Sequence, residues 1–324
     1  MVWEALNLAL NHALAGDESV FVLGEDVAVY GGSYRVTQGL YARYGEWRVR
    51  DTPISENSFT GLAVGAAMAG GRPVVEIMTI NFALLALDSI VNVAANMRYM
   101  SGGQFQVPLV IRMPGGVAHQ LAAQHSQRLE TTMLNTPGLR IVAPGTPQDS
   151  YWQLRQAVHE DDPVIFLEHE RLYGVRGPFS LEAPAPPLHA AAVRREGSDL
   201  TLVAWHRMVS VCLEAAEALA ADGIEAEVID LRSLKPFDLP ALQQSLGKTH
   251  RMMIVEEDPR FAGIGAAIAA ELYERSFFEL DAPIVRLGAA DVPIPYNRDL
   301  EDAALPRADD VVNRSRQVFG REVG

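Results

Sequence analysis

Short runs of β-branched and apolar residues recur along this chain, each followed by a longer stretch with helical spacing, and that alternation narrows the fold more than any other feature. The runs are VFVLG at 20–24, PVVEIM at 73–78, PLVIRM at 108–113, LRIVAP at 139–144 and PVIFLE at 163–168. Strands alternating with helices build a parallel sheet covered on both faces. Between two of the runs, 82–100 places Leu84, Leu85, Ile90, Val91 and Ala94 at helical spacing, and 147–160 reads as another helix. The opening MVWEALNLAL reads as an amphipathic first helix, not a secretory leader, because no Lys or Arg precedes Arg35.

The proline-rich stretch PFSLEAPAPPL at 178–188 has no period and divides the chain. Beyond it the pattern resumes with DLTLVAW at 199–205, a helix over 209–222, EAEVIDL at 225–231 and RMMIVEED at 251–258. The expected architecture is therefore α/β, with two doubly wound domains spanning 1–185 and 186–324 of the 324 residues. No internal repeat of solenoid period is present.

Charge and composition remove several functions. A formal net charge of −14 argues against nucleic acid, which requires a cationic surface, and suits basic partner domains instead. The single cysteine, Cys212, excludes a disulfide framework and a cysteine metal cluster, so a cytoplasmic location is expected. The longest apolar run, GLAVGAAMAGG at 61–71, is too short to span a membrane. Lys235 and Lys248 are the only lysines among the 27 basic residues, leaving few candidates for Schiff-base chemistry.

There is no G-x-S-x-G, H-E-x-x-H or C-x-x-C motif. LGKT at 246–249 lacks the glycine a phosphate-binding loop needs, since Leu242 stands there. GIGAAI at 263–268 resembles a dinucleotide fingerprint but has Ile268 in place of its third glycine, so tight helix packing competes with a nucleotide-binding regulatory module.

The segment 51–82 is richer in chemistry. Glu56 stands just before a helix of small and apolar residues, where it is either a buried acid or a carboxylate satisfying free helix-start amides. Gly61 and Gly65, four apart, are expected to let that helix approach another backbone or a flat ligand closely.

PISENSF, MTINFALLALDSIVNVAANMRYMSGG, AAQHSQ, PGLRIVAP, DDPVIFLE, EVIDLRSLKPFD and ADVPIPY together resemble the β subunits of pyruvate dehydrogenase and related thiamine-diphosphate-dependent 2-oxo acid decarboxylases, along essentially the whole chain. The resemblance implies a transketolase-like arrangement: a pyrimidine-binding domain over 1–185 and a smaller transketolase C-terminal-like domain over 186–324. It further implies a heterotetramer of α and β chains and oxidative decarboxylation followed by acylation of lipoyl groups on an acyltransferase core. The larger α chain supplies the diphosphate and magnesium site, whose signature begins Gly-Asp-Gly. This chain has GDE at 16–18 and GED at 24–26 but no Gly-Asp-Gly, and so carries half a site.

By the same resemblance, Glu56 matches the glutamate that hydrogen-bonds the aminopyrimidine ring and activates the cofactor. Phe82 falls where an aromatic ring stacks on that pyrimidine, with core packing as its alternative, and Ile54 and Glu25 fall at neighbouring cofactor positions. His125, in AAQHSQ, matches a histidine at the substrate end of the pocket linked to acyl transfer, a supporting role in the loop being the alternative. Glu25 and Asp88 match acids connecting two active sites, although ordinary surface or capping roles suit them equally. A structural potassium ion is implied on carbonyls near Leu109, Ala157, Glu160 and Asp162, and Asp281 matches a docking position for the acyltransferase. MTINF and MSGG favour pyruvate as substrate; Leu85, in place of a glutamine, keeps branched-chain 2-oxo acids and acetoin open.

Overall fold

The computed structural model describes Met1–Gly320 and contains two compact units. The first comprises Met1–Gly116 with Gln127–Leu188, and the second comprises Val117–Ser126 with the residues from His189 onward.

In the first unit the apolar runs become strands β1 (Val20–Gly24), β2 (Val49–Asp51), β3 (Arg72–Glu76), β4 (Val110–Gly115), β5 (Arg140–Val142) and β6 (Val164–His169), ordered β5-β6-β4-β3-β1-β2. Every one of these pairings is parallel. Helices α1 (Val2–Gly16), α2 (Leu40–Tyr44), α3 (Glu56–Met68), α4 (Ala95–Met100), α5 (Thr131–Leu134) and α6 (Pro147–His159) lie between them. Leu6, Leu10 and Leu14 of α1 and Leu154 of α6 join Val22, Val74, Val110 and Phe166 of the strands in one core. Each such side chain contributes about 1.5–3 kcal/mol by leaving water. Thr146 caps α6 by accepting the Asp149 amide, with Pro147 at the first helical position.

The segment expected as one helix over 82–100 is broken. A tight turn of helix runs Ile80–Ala86, a widened π-type stretch Asp88–Ala94, and only then does α4 begin. The two parts meet at 59°, and Leu84 and Leu85 face solvent instead of a core. Apolar spacing alone does not report such a bend, and π-type turns concentrate at functional sites. Of the two glycines in α3, Gly61 would bring a Cβ within 3.3 Å of the Ser89 hydroxyl, whereas Gly65 would meet nothing within 4 Å. Within the chain, the close neighbour is found at Gly61 and is a side-chain hydroxyl.

The second unit has β7 (Ala192–Arg195), β8 (Leu200–Ala204), β9 (Ala226–Asp230), a short β10 (Ser233–Lys235), β11 (Met252–Pro259) and β12 (Val285–Ala289). Its sheet runs β12-β11-β8-β9-β7, with β7 antiparallel at the edge and the other pairings parallel. Helices α7 (Arg207–Ala221), α8 (Leu239–Thr249), α9 (Ile264–Ser276), α10 (Arg298–Ala303) and α11 (Ala308–Val318) complete it, and α7 and α11 bury Val211, Cys212, Leu219, Val311 and Val312 against the sheet.

GIGAAI is explained by packing. Added Cβ atoms at Gly263 and Gly265 would fall 2.8 Å and 2.6 Å from the buried Glu256 carboxylate, which accepts the Gly265 amide at 2.9 Å. The protein's own anion takes the start of α9, the place a nucleotide phosphate would need. In LGKT, Lys248 is likewise committed, to Glu227 and Glu196. Among the described residues, no single helix is long and apolar enough to cross a membrane.

Candidate active site

Two carboxylates converge at one end of the first unit's sheet. Strand β1 ends at Gly24, where a Cβ would lie 2.4 Å from the Glu76 carbonyl oxygen, so only glycine lets the chain turn there. Glu25 follows and is 8% exposed. The loop after it is tied down by Asp51 at the end of β2, whose carboxylate accepts the amides of Ala28 and Val29 at 2.7 Å and 3.3 Å. Glu56 is the first residue of α3 and is 4% exposed, at a helix start whose partial positive charge favours an anion. Burial, then the Glu56 carboxylate, then Asp26 hold the Glu25 carboxyl above the usual glutamate range. Glu25 Oε1 is buried without a hydrogen-bond partner. Among the described residues, no ion pair involves Glu25 or Glu56.

Phe82 is half-buried in the tight turn after β3, and its amide donates to the Thr79 carbonyl at 3.0 Å. Asn81 beside it accepts from the Thr79 hydroxyl at 2.8 Å and donates to Gln127 at 3.0 Å, fixing the turn. Ile54 is 84% exposed just before α3, and Leu62, Leu84 and Leu85 also stand in solvent on α3 and the turn packed against it.

Sequence reasoning missed a neighbouring cluster. Arg112 in β4, 1% exposed, grips Glu168 with two bonds of 2.7 Å and Glu76 with a third, and the Tyr173 hydroxyl donates to Glu168 at 2.5 Å. Burial raises the Glu76 carboxyl despite Arg112. The signal was present: each of PVVEIM, PLVIRM and PVIFLE carries one charge inside an apolar run, and parallel pairing sets Glu76 opposite Arg112. Glu170 lies close by, buried and facing the Tyr34 hydroxyl, and burial pushes it up to about 7. The Tyr34 ring stacks on Tyr173 at 4.9 Å.

His125 falls in the Val117–Ser126 segment of the second unit, half-buried at the end of a short turn, Ala123–His125.

Two family descriptions match: "Transketolase, pyrimidine binding domain" over residues 1–176 and "Transketolase, C-terminal domain" over residues 189–311. A pyruvate dehydrogenase E1 component subunit beta from Gracilaria tenuistipitata var. liui is 46% identical over 318 residues, 98% of each chain. The Rickettsia bellii chain of the same name is 47% identical over 317 residues, also 98% of each, and the mitochondrial beta-1 chain of Arabidopsis thaliana is 47% identical over 99% of this chain and 89% of its own. This chain belongs to the pyruvate dehydrogenase E1 beta family. Among solved structures, a split gene transketolase described as an inactive beta4 tetramer aligns with TM-score 0.80 and 25% identity over 99% of this chain and 98% of that one. A transketolase mutant from Pichia stipitis aligns with TM-score 0.73 at 14% identity over 98% of this chain and 46% of that one, which shows the shared fold.

Two positions that the family resemblance singled out look different in the structure. The carbonyls expected to hold potassium already accept hydrogen bonds: Leu109 from Val164 at 2.9 Å, Ala157 from Glu160 at 3.2 Å and Glu160 from the Arg72 guanidinium at 3.1 Å. Arg72 also donates to the Val158 carbonyl at 3.0 Å and pairs with Asp161, while Glu160 and Asp162 turn their carboxylates to Arg140 and Arg98. The Arg72 guanidinium brings a positive charge to this corner, and each carbonyl that accepts one hydrogen bond keeps a second lone pair. Asp281 is exposed, as a docking residue must be, but pairs with Arg251 at 3.1 Å.

Proposed function

We propose that the chain is the β half of a thiamine-diphosphate-dependent 2-oxo acid dehydrogenase acting on pyruvate. An α chain completes the site with the diphosphate and magnesium ligands, and a lipoyl-bearing acyltransferase core receives the acyl group. The observation that carries this is the pair of buried carboxylates, Glu25 and Glu56, left without a cation at the end of the sheet. Glu25 Oε1, buried and unpartnered, fits a polar ring that brings its own donors, and half-buried Phe82 offers a flat apolar face. Thiamine diphosphate, when bound, supplies the electron sink that lets a 2-oxo acid lose carbon dioxide.

The chain's own residues then have separable tasks. Glu56 exchanges a proton with the pyrimidine, and Glu25, its carboxyl raised by burial and by Glu56, stands beside it in the pair. Ile54 and the exposed leucines exclude water once the α chain covers them. His125 carries an imidazole, a general acid suited to protonating the sulfur that leaves when a lipoyl ring opens. The cytoplasmic location drawn from the lone Cys212, here buried, belongs to the same proposal.

A half-site predicts its own incompetence. The pure chain should show no tight magnesium-dependent binding of thiamine diphosphate by calorimetry and no decarboxylation of pyruvate, and co-purification with an α chain should restore both. The inactivity named for the related split gene transketolase tetramer supports this. Tight binding by the pure chain would overturn the proposal.

A further inference from the structure

The loop that carries His125 is strained. His119, Gln120 and Ala122 have φ of 57°, 58° and 63°, the left-handed region that residues with a Cβ avoid. Three such residues within four positions persist only where their surroundings over-determine the backbone. Within the loop, Leu121 donates to Ala118 and His125 to Ala122 at 3.3 Å each.

What holds the loop comes from two far-off glutamates of the same unit. Glu301, in α10 and 1% exposed, accepts the amide of strained Gln120 at 2.9 Å, while Glu257 at the end of β11 stands 3.4 Å from the Val117 amide. Val117 is fully buried with Ala289 and Leu305. Helix α10 is itself pinned: Asn297 caps it by accepting the amides of Asp299 and Leu300, and Ala290 after β12 donates to the Ala304 carbonyl at 2.8 Å. A buried carboxylate is costly to keep, and Glu301 directs its own onto a backbone amide of the strained loop.

We infer that Glu301 is a positioning residue for His125: its carboxylate fixes the left-handed turn at Gln120 and thereby the place of the imidazole. The inference rests on His125 serving acyl transfer to lipoyl groups. Glu301 touches neither substrate nor cofactor in this role, and acts through the loop alone.

The test uses the assembled α and β enzyme with His125→Ala, Glu301→Ala, Glu301→Gln and Glu301→Asp. Three quantities are read: acylation of a lipoyl domain, decarboxylation with an artificial electron acceptor, and amide hydrogen exchange over 117–126. Glu301→Ala should repeat the selective pattern of His125→Ala, losing lipoyl acylation roughly 10²-fold while decarboxylation falls far less, as expected for a displaced catalytic group. Exchange at Gln120 and its neighbours should quicken. Glu301→Gln keeps an oxygen acceptor and should recover most of the acylation. If Glu301→Ala does not assemble, Glu301→Asp, one methylene short, should show the same selective loss and faster exchange. Wild-type exchange over 117–126 in Glu301→Ala or Glu301→Asp, or equal losses in both assays, overturns the positioning role. If His125→Ala loses nothing selectively, the acyl-transfer assignment falls instead, and exchange alone decides whether Glu301 holds the loop.

Discussion

Two pairs of buried glutamates lie in the first unit, Glu76 and Glu168 within its parallel strands and Glu25 and Glu56 just after β1 and at the start of α3, and they are treated oppositely. Glu76 and Glu168 share the Arg112 guanidinium and the Tyr173 hydroxyl. Glu25 and Glu56 have no cation, and burial first, then the Glu56 carboxylate, raise the Glu25 carboxyl. The second unit follows the first pattern, with Asp230 on Arg194 and Glu227 on Lys248. A buried acid without a cation is not by itself a site, since Glu256 and Glu301 accept backbone amides instead; Glu25, with Oε1 unpartnered, is the one the proposed function uses.

The comparison is broken most directly at Arg112. Arg112→Met should leave two buried carboxylates uncompensated and cost about 3–5 kcal/mol, read from denaturant unfolding. A loss below about 1 kcal/mol would mean that the cluster is not a unit. Glu56→Gln should act in the opposite sense. Activity of the assembled enzyme should fall by on the order of 10²-fold, or about 2.7 kcal/mol in the barrier, while stability holds or rises because a repulsion with Glu25 is removed. Wild-type turnover would return Glu56 to the role of a helix-start carboxylate.

The strand runs and the two-part organisation were legible because buried parallel strands leave apolar runs that a reader can locate. Glu56 and His125 were picked out through the motifs around them, and their roles belong to the proposed function. The Arg112 cluster was not, because its partners lie 36 and 56 residues away and meet only through sheet order. Glu301 escaped for the same reason, being 181 residues from Gln120. The 82–100 segment misled: its spacing fits a helix, yet Leu84 and Leu85 point outward from a turn packed against α3.

Glu170 sharpens the comparison, since it too is buried without a cation but faces a hydroxyl, Tyr34. Burial raises its pKa from 4.5 to about 7. Its contribution to stability is therefore fully present below pH 4.5 and lost as pH rises through about 7. The loss should be on the order of 3 kcal/mol, and Glu170→Gln should flatten that part of the profile of thermal stability against pH. An unchanged slope in the variant would place the titrating group elsewhere, with Glu25 next in line because its shift has the same sign.

Asp281 is the exposed limit of the series, a carboxylate with a partner and with water. Its pair with Arg251 is open to solvent on both sides, so screening and side-chain entropy leave it worth roughly 0.2–1 kcal/mol. Asp281→Asn should change unfolding by no more than that, and a larger loss would show that the pair shares the rule of the buried clusters. Docking tests the other half of its role. The net charge of −14 should draw a basic segment of the acyltransferase, and affinity should fall as salt rises. Because Arg251 already neutralises part of Asp281, removing the carboxylate should weaken docking only about two- to five-fold at low salt, in keeping with a single screened charge. Equal affinity for wild type and Asp281→Asn at low salt would take Asp281 out of the interface and leave its carboxylate the structural role of pairing with Arg251.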